Sequence, residues 1–143
     1  MKIGLVINPQ SGVGGSVALK GSDGAELQEL AKRRDGEPRG VERAHAFLER
    51  LLLLMDDLTK KLTWKTWGDE MGEKVLQSYQ VDFEVLGHPE SPTVGADTSE
   101  ACSVISGAGV DILIFVGGDG TARNVLEGIS PGTLVLGVPS GVK

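Results

Sequence analysis

The sequence has one cysteine, Cys102, and it has no long hydrophobic run and no excess of basic charge. A single thiol closes no internal disulfide, which removes the small cystine-stapled secreted scaffolds from consideration. The longest apolar stretches, Leu51-Leu52-Leu53-Leu54-Met55 and Ile112-Leu113-Ile114-Phe115-Val116, fall far short of the ~20 residues that cross a bilayer. The first apolar run breaks at Asn8-Pro9 with no small-residue cleavage site, so no signal peptide is read and cytoplasmic residence is expected. Lys and Arg number 14 against 20 Asp and Glu, a net charge of −6. A chain without a basic face releases few counterions from a phosphate backbone, and duplex nucleic acid is excluded as the expected partner.

What the chain has in excess is glycine: 21 of 143 residues, about 15% against the ~7% of an average protein, while aromatic residues make up only 4%. With 40% hydrophobic residues and no G-X-Y period it is neither disordered nor collagenous. Its length suits one domain, burying on the order of 70% of the unfolded surface.

Apolar runs and helical stripes alternate along the sequence. Residues 3–7 read as a buried strand, 8–24 as a glycine-rich loop and 25–34 as a short helix with basic residues in its last turn. Val41, Ala44, Leu48, Leu51, Met55 and Leu58 fall three and four apart, which makes one face of a helix. Leu53 and Leu54 lie beside that stripe, and two readings stay open for them: a wide buried face or a subunit contact in a homo-oligomer. Strands are expected at 62–67, 81–86, 111–116 and 133–138. Between them the pattern predicts a short helix around 71–77 and helices at 97–105 and 121–129, the last with Ala122, Val125, Leu126 and Ile129 at helical spacing. Alternation of this kind predicts an α/β fold: a Rossmann-like, doubly wound parallel sheet of about five strands between helical layers.

Chemistry is concentrated in two glycine loops. Gly117-Gly118-Asp119-Gly120-Thr121 lies between an apolar strand and a helix, where glycines let the backbone approach a phosphate and the helix start offers free N–H groups. A carboxylate beside such an anion site has a use if it binds Mg²⁺ or takes a proton from an attacking hydroxyl, and Arg123 one turn on can supply positive charge. The alternative for Asp119 is a simple helix cap in a glycine turn. The first loop, Asn8-Pro9-Gln10-Ser11-Gly12, is neither a Walker A loop nor a G-x-G-x-x-G fingerprint, since Val17 holds the third glycine position. Asn8 and Ser11 can still hydrogen-bond a nucleotide at the end of a strand, unless the loop is merely irregular surface. In a sheet of order 3-2-1-4-5 both loops flank the switch point where ligands bind, an order that follows from the motif logic rather than from periodicity. The weaker candidates are Lys20 and the Ser140-Gly141 turn. His45 and His88 lack a second ligand at metal spacing, so no metal-ligating residue is assigned, and Cys102 reads as a small buried residue.

At Gly117-Gly118-Asp119-Gly120-Thr121 the sequence resembles the superfamily of NAD kinases, diacylglycerol kinases and sphingosine kinases, and Asn8-Pro9-Gln10-Ser11-Gly12 is similar to that superfamily's first motif. The segment from Gly14-Gly15 through Gly24 and the extension to Arg123 look most like the ATP-NAD kinase-like branch of acetoin catabolism operons. The resemblance runs over nearly the whole chain and implies phosphoryl transfer from ATP or polyphosphate, with Mg²⁺, to a hydroxyl such as the ribose 2′-hydroxyl of NAD. It implies Asp119 as the general base or hydroxyl-orienting group. It also implies Gly117, Gly118, Gly120 and Thr121 at the donor phosphates, and Asn8 and Ser11 at the nucleotide; Gly12 and Arg123, read from the loops themselves, complete the expected cofactor-binding set. A following β-rich acceptor domain belongs to the family pattern, so the expectation is the N-terminal half of an enzyme. A diacylglycerol-type lipid kinase and a non-catalytic nucleotide sensor are the competing readings.

Overall fold

The computed structural model describes residues 1–13, 38–55 and 61–141. Its center is a five-stranded, all-parallel sheet of order β3-β2-β1-β4-β5, with β1 at Lys2–Ile7, β2 at Thr63–Thr66, β3 at Asp82–Val85, β4 at Ile112–Gly117 and β5 at Val135–Pro139. The helices are α1 at Gly40–Met55, α2 at Glu73–Leu76, α3 at Gly95–Gly107 and α4 at Asp119–Gly128. The fold is thus the doubly wound α/β arrangement in the strand order that the two glycine loops imply. The expected loop beyond Val13 and the helix at 25–34, with Lys20 and Leu58, lie outside the described residues.

Alternate residues of the two central strands serve the two helical layers, as the period of a strand requires. Ile3, Leu5 and Ile7 of β1 join Ile114 and Val116 of β4 and Trp64 of β2 beneath Ala44 and Leu48 of α1. Val6 and Leu113 point the other way, against Ala101, Cys102 and Ile105 of α3 and Val125 of α4. A sheet buried on both faces explains why β4 reads as a nearly continuous apolar run instead of an alternating one. The register sets Ile3 beside both Trp64 and Ile112, so the cores on each side stay in step across the three central strands.

Some sequence expectations shift. Leu126, expected in the buried stripe of α4, is 76% exposed. The helix begins at Asp119 rather than Thr121, and Thr121 and Val125 form its buried face while Leu126 turns outward. Leu53 and Leu54 stay exposed, so the buried face of α1 is narrower than five consecutive apolar residues suggested. α3 starts at Gly95, two residues early, because the buried Asp97 carboxylate accepts the N–H groups of Glu90 and Val94 at 3.0 and 2.7 Å. Satisfying those backbone donors stabilises the helix start, the role a side-chain cap plays elsewhere.

Candidate active site

All five strands end on the same side of the sheet, and the candidate residues gather where β1 and β4 lie next to each other at the reversal of strand order. The Asn8 N–H donates to Val116 O at 2.9 Å, which carries the β1–β4 ladder one residue past β1. The chain then turns tightly. Gln10 N–H donates to Asn8 Oδ1 at 3.0 Å, and the Ser11 N–H and hydroxyl donate to the Asn8 carbonyl at 3.1 and 2.7 Å. Such local bonds are what Asn and Ser offer a turn. Gly12 follows with φ +87°, a conformation that suits glycine, and a Cβ there would stand 2.7 Å from Ser140 O.

Three further segments close on this turn. Arg39 N–H, just ahead of α1, donates to Ser11 O at 2.9 Å, so the long α1 helix begins against the β1 loop. Ser140, following β5, donates its N–H to Gly117 O at 3.2 Å and is itself fully buried. From the β4 side, Thr121 Oγ1 accepts a 2.9 Å hydrogen bond from Asn8 Nδ2. The sequence singled out Ser140 for this neighborhood but missed Arg39, whose only trace is its place in Pro38-Arg39-Gly40 just before the helical stripe.

The motif residues fall into two groups by exposure. Asn8 is half-buried, while Ser11 and Thr121 are almost completely buried and Gly117 is packed directly against the Thr121 side chain. Gly118, Asp119, Gly120 and Arg123 face outward to varying degrees, Asp119 and Arg123 being exposed. Gly118 holds extended backbone (φ −102°, ψ −165°) as the N-cap of α4, and a Cβ built on it would meet nothing within 4 Å. Among the described residues no side chain caps that end, and the first turn of α4 stands at the positive end of the helix dipole. That cradle suits a phosphate. Asp119 stands in the first turn beside it, and one carboxylate together with phosphate oxygens is the usual way a protein holds Mg²⁺. Among the described residues no cluster of three or more His, Cys, Asp or Glu is arranged to hold a metal on its own.

A family model described as the ATP-NAD kinase N-terminal domain matches residues 3–143. The chain belongs to that family. No curated protein and no solved structure matches it significantly. As an ATP-NAD kinase N-terminal domain it is a kinase-type, nucleotide-binding domain, and its motif residues stand at the crevice where this fold takes ligands.

Other candidates lie away from the crevice. His45 shares a 2.9 Å hydrogen bond between Nδ1 and Tyr79 Oη, joining α1 to the segment after α2, and burial with the nearby Glu49 carboxylate pushes the Tyr79 hydroxyl pKa up. His88 is exposed on the loop after β3. Cys102 is enclosed in the α3 layer, and burial raises its thiol pKa to about 12, so the reactive thiolate is suppressed. Among the described residues no helix is long and apolar enough to cross a membrane.

Proposed function

We propose that this domain binds the phosphates of ATP, or of polyphosphate, at the start of α4 and serves phosphoryl transfer to a hydroxyl such as the 2′-hydroxyl of the NAD ribose. The observation that carries this reading is the open N-cap at Gly118 with the Asp119 carboxylate in the next position, in a domain of the ATP-NAD kinase family. The N–H groups at the helix start hold the phosphate anion, and Arg123 adds positive charge on the exposed side of the same helix. Asp119 accepts or orients the proton of the attacking hydroxyl. Gly117, Thr121, Asn8, Ser11 and Gly12 support the crevice from beneath and keep the two glycine loops together. Mg²⁺, carried in with the nucleotide, would neutralise phosphate charge, with Asp119 as the carboxylate at hand.

Incubating the domain, joined to the acceptor domain that the family pattern places after it, with ATP, Mg²⁺ and NAD and assaying for NADP tests the reading. Asp119→Asn should lower kcat by about 10²- to 10⁴-fold, the usual contribution of a positioned acid or base. Full activity in that variant removes Asp119 from the chemistry. Phosphorylation of diacylglycerol with none of NAD would move the domain to a lipid acceptor. Nucleotide binding with turnover of neither would make it a sensor.

A further inference from the structure

Each polar group of Asn8 makes at least one hydrogen bond inside the chain. Its N–H donates to Val116 O, its carbonyl accepts from Ser11, its Oδ1 accepts the Gln10 N–H and its Nδ2 donates to Thr121 Oγ1. The Gln10 N–H can only donate, so it fixes the amide oxygen on its own side and turns the NH₂ toward Thr121. The carboxamide is therefore held at both ends and bridges residues 113 apart in sequence. At its far end, Thr121 is 2% exposed and its side chain packs on Gly117, which leaves it little freedom to follow a different partner. Thr121 lies in the same helical turn as Asp119, and the Ala122 N–H closes that turn onto Gly118 O at 3.0 Å.

We infer that Asn8 is a positioning residue: through Thr121 it fixes the first turn of α4, and with it the phosphate cradle at Gly118 and the Asp119 carboxylate, without touching the ligand itself. This rests on the reading of the crevice as a nucleotide site, and it departs from the role of direct nucleotide contact that the motif resemblance assigns to Asn8. A ligand-contacting amide and a strut make different predictions for pairs of substitutions. Two residues that act through one bond are non-additive, because the second change removes nothing that the first left in place.

The test is a double-mutant cycle of Asn8→Ala and Thr121→Val, read by calorimetric titration with ATP and Mg²⁺. Each single variant should weaken binding by about 2- to 10-fold, the range one net hydrogen bond supplies. The double variant should bind no more than about twofold more weakly than the worse single, and Thr121→Ser, which keeps the hydroxyl, should restore affinity. Losses that multiply, or no loss in either single, overturn the strut. A second measurement needs no ligand. Amide exchange of Ala122 should quicken by a similar factor in Asn8→Ala and Thr121→Val, while that of Leu113, in β4, stays unchanged. If Asn8→Ala does not fold, Asn8→Asp takes its place: its carboxylate accepts both the Gln10 N–H and the Thr121 O–H, so Ala122 exchange should remain within about twofold of the parent. Unchanged Ala122 exchange in Thr121→Val, or accelerated exchange in Asn8→Asp, overturns the proposal. A parent protein that takes up no ATP, NAD or pyrophosphate defeats the nucleotide reading instead, and the exchange data still decide the strut.

Discussion

Gly117 and Gly118 are neighbors in one motif, yet a Cβ on the first would overlap the Thr121 side chain and a Cβ on the second would meet nothing within 4 Å. The same division runs through the whole crevice. Asn8, Ser11 and Thr121 form a frame linked by hydrogen bonds through Asn8, with Gly117 packed against Thr121, and Gly118, Asp119, Gly120 and Arg123 form a rim that faces outward. A motif can thus combine residues selected for unlike reasons: the frame for geometry that only small or hydrogen-bonding side chains allow, the rim for what it presents to a ligand.

The comparison is most exposed to failure at Gly117. Gly117→Ala forces a methyl into the Thr121 side chain, and overpacking of that kind costs about 1–3 kcal/mol. The denaturation midpoint should fall accordingly with the m-value unchanged. A variant as stable as the parent would show that Thr121 can move aside, and the frame would lose its rigidity.

Ser11→Ala is a milder probe of the same group. Ser11 is 1% exposed and its hydroxyl donates to the Asn8 carbonyl, so removing the hydroxyl should cost about 0.5–1.5 kcal/mol. ATP affinity measured below the unfolding transition should change by less than about twofold, since the Ser11 N–H still holds the turn. Unchanged stability with a tenfold loss of affinity would move Ser11 from frame to rim.

How far these features could be read from sequence follows from the distance over which each is determined. The strand order is legible from the motif logic, because a glycine loop follows both β1 and β4, whereas the unbroken apolar run of β4 shows only that this strand is buried on both faces. The division of frame from rim is not, because the bond between Asn8 and Thr121 joins positions 113 apart and no local pattern announces it. Nor does periodicity give the start of α4. Gly118-Asp119 reads equally as loop or as helix start, and the spacing of Ala122, Val125, Leu126 and Ile129 does not show that Thr121 and Val125 carry the buried face and leave Leu126 at the surface. Asp97 was read as a helix residue, but its part in ordering the loop before α3 depends on Glu90, seven residues back, and so on a turn no helical stripe encodes.

The smallest expected effect on stability belongs to the second glycine. Gly118 has φ −102° and ψ −165°, backbone that alanine adopts without strain, and open space surrounds the position of the added methyl. Gly118→Ala should therefore cost no more than about 0.5–1 kcal/mol, the preference of an N-cap for glycine over alanine, and less than Gly117→Ala. The methyl would stand where a phosphate needs to approach the N–H groups of α4, so ATP affinity should fall although the fold is untouched. Melting curves and calorimetric titrations on Gly117→Ala and Gly118→Ala, taken side by side, put the contrast to its sharpest test. If the first variant loses stability and the second loses affinity, adjacent glycines serve different physical ends; if Gly118→Ala binds ATP as the parent does, the phosphate does not sit at the start of α4.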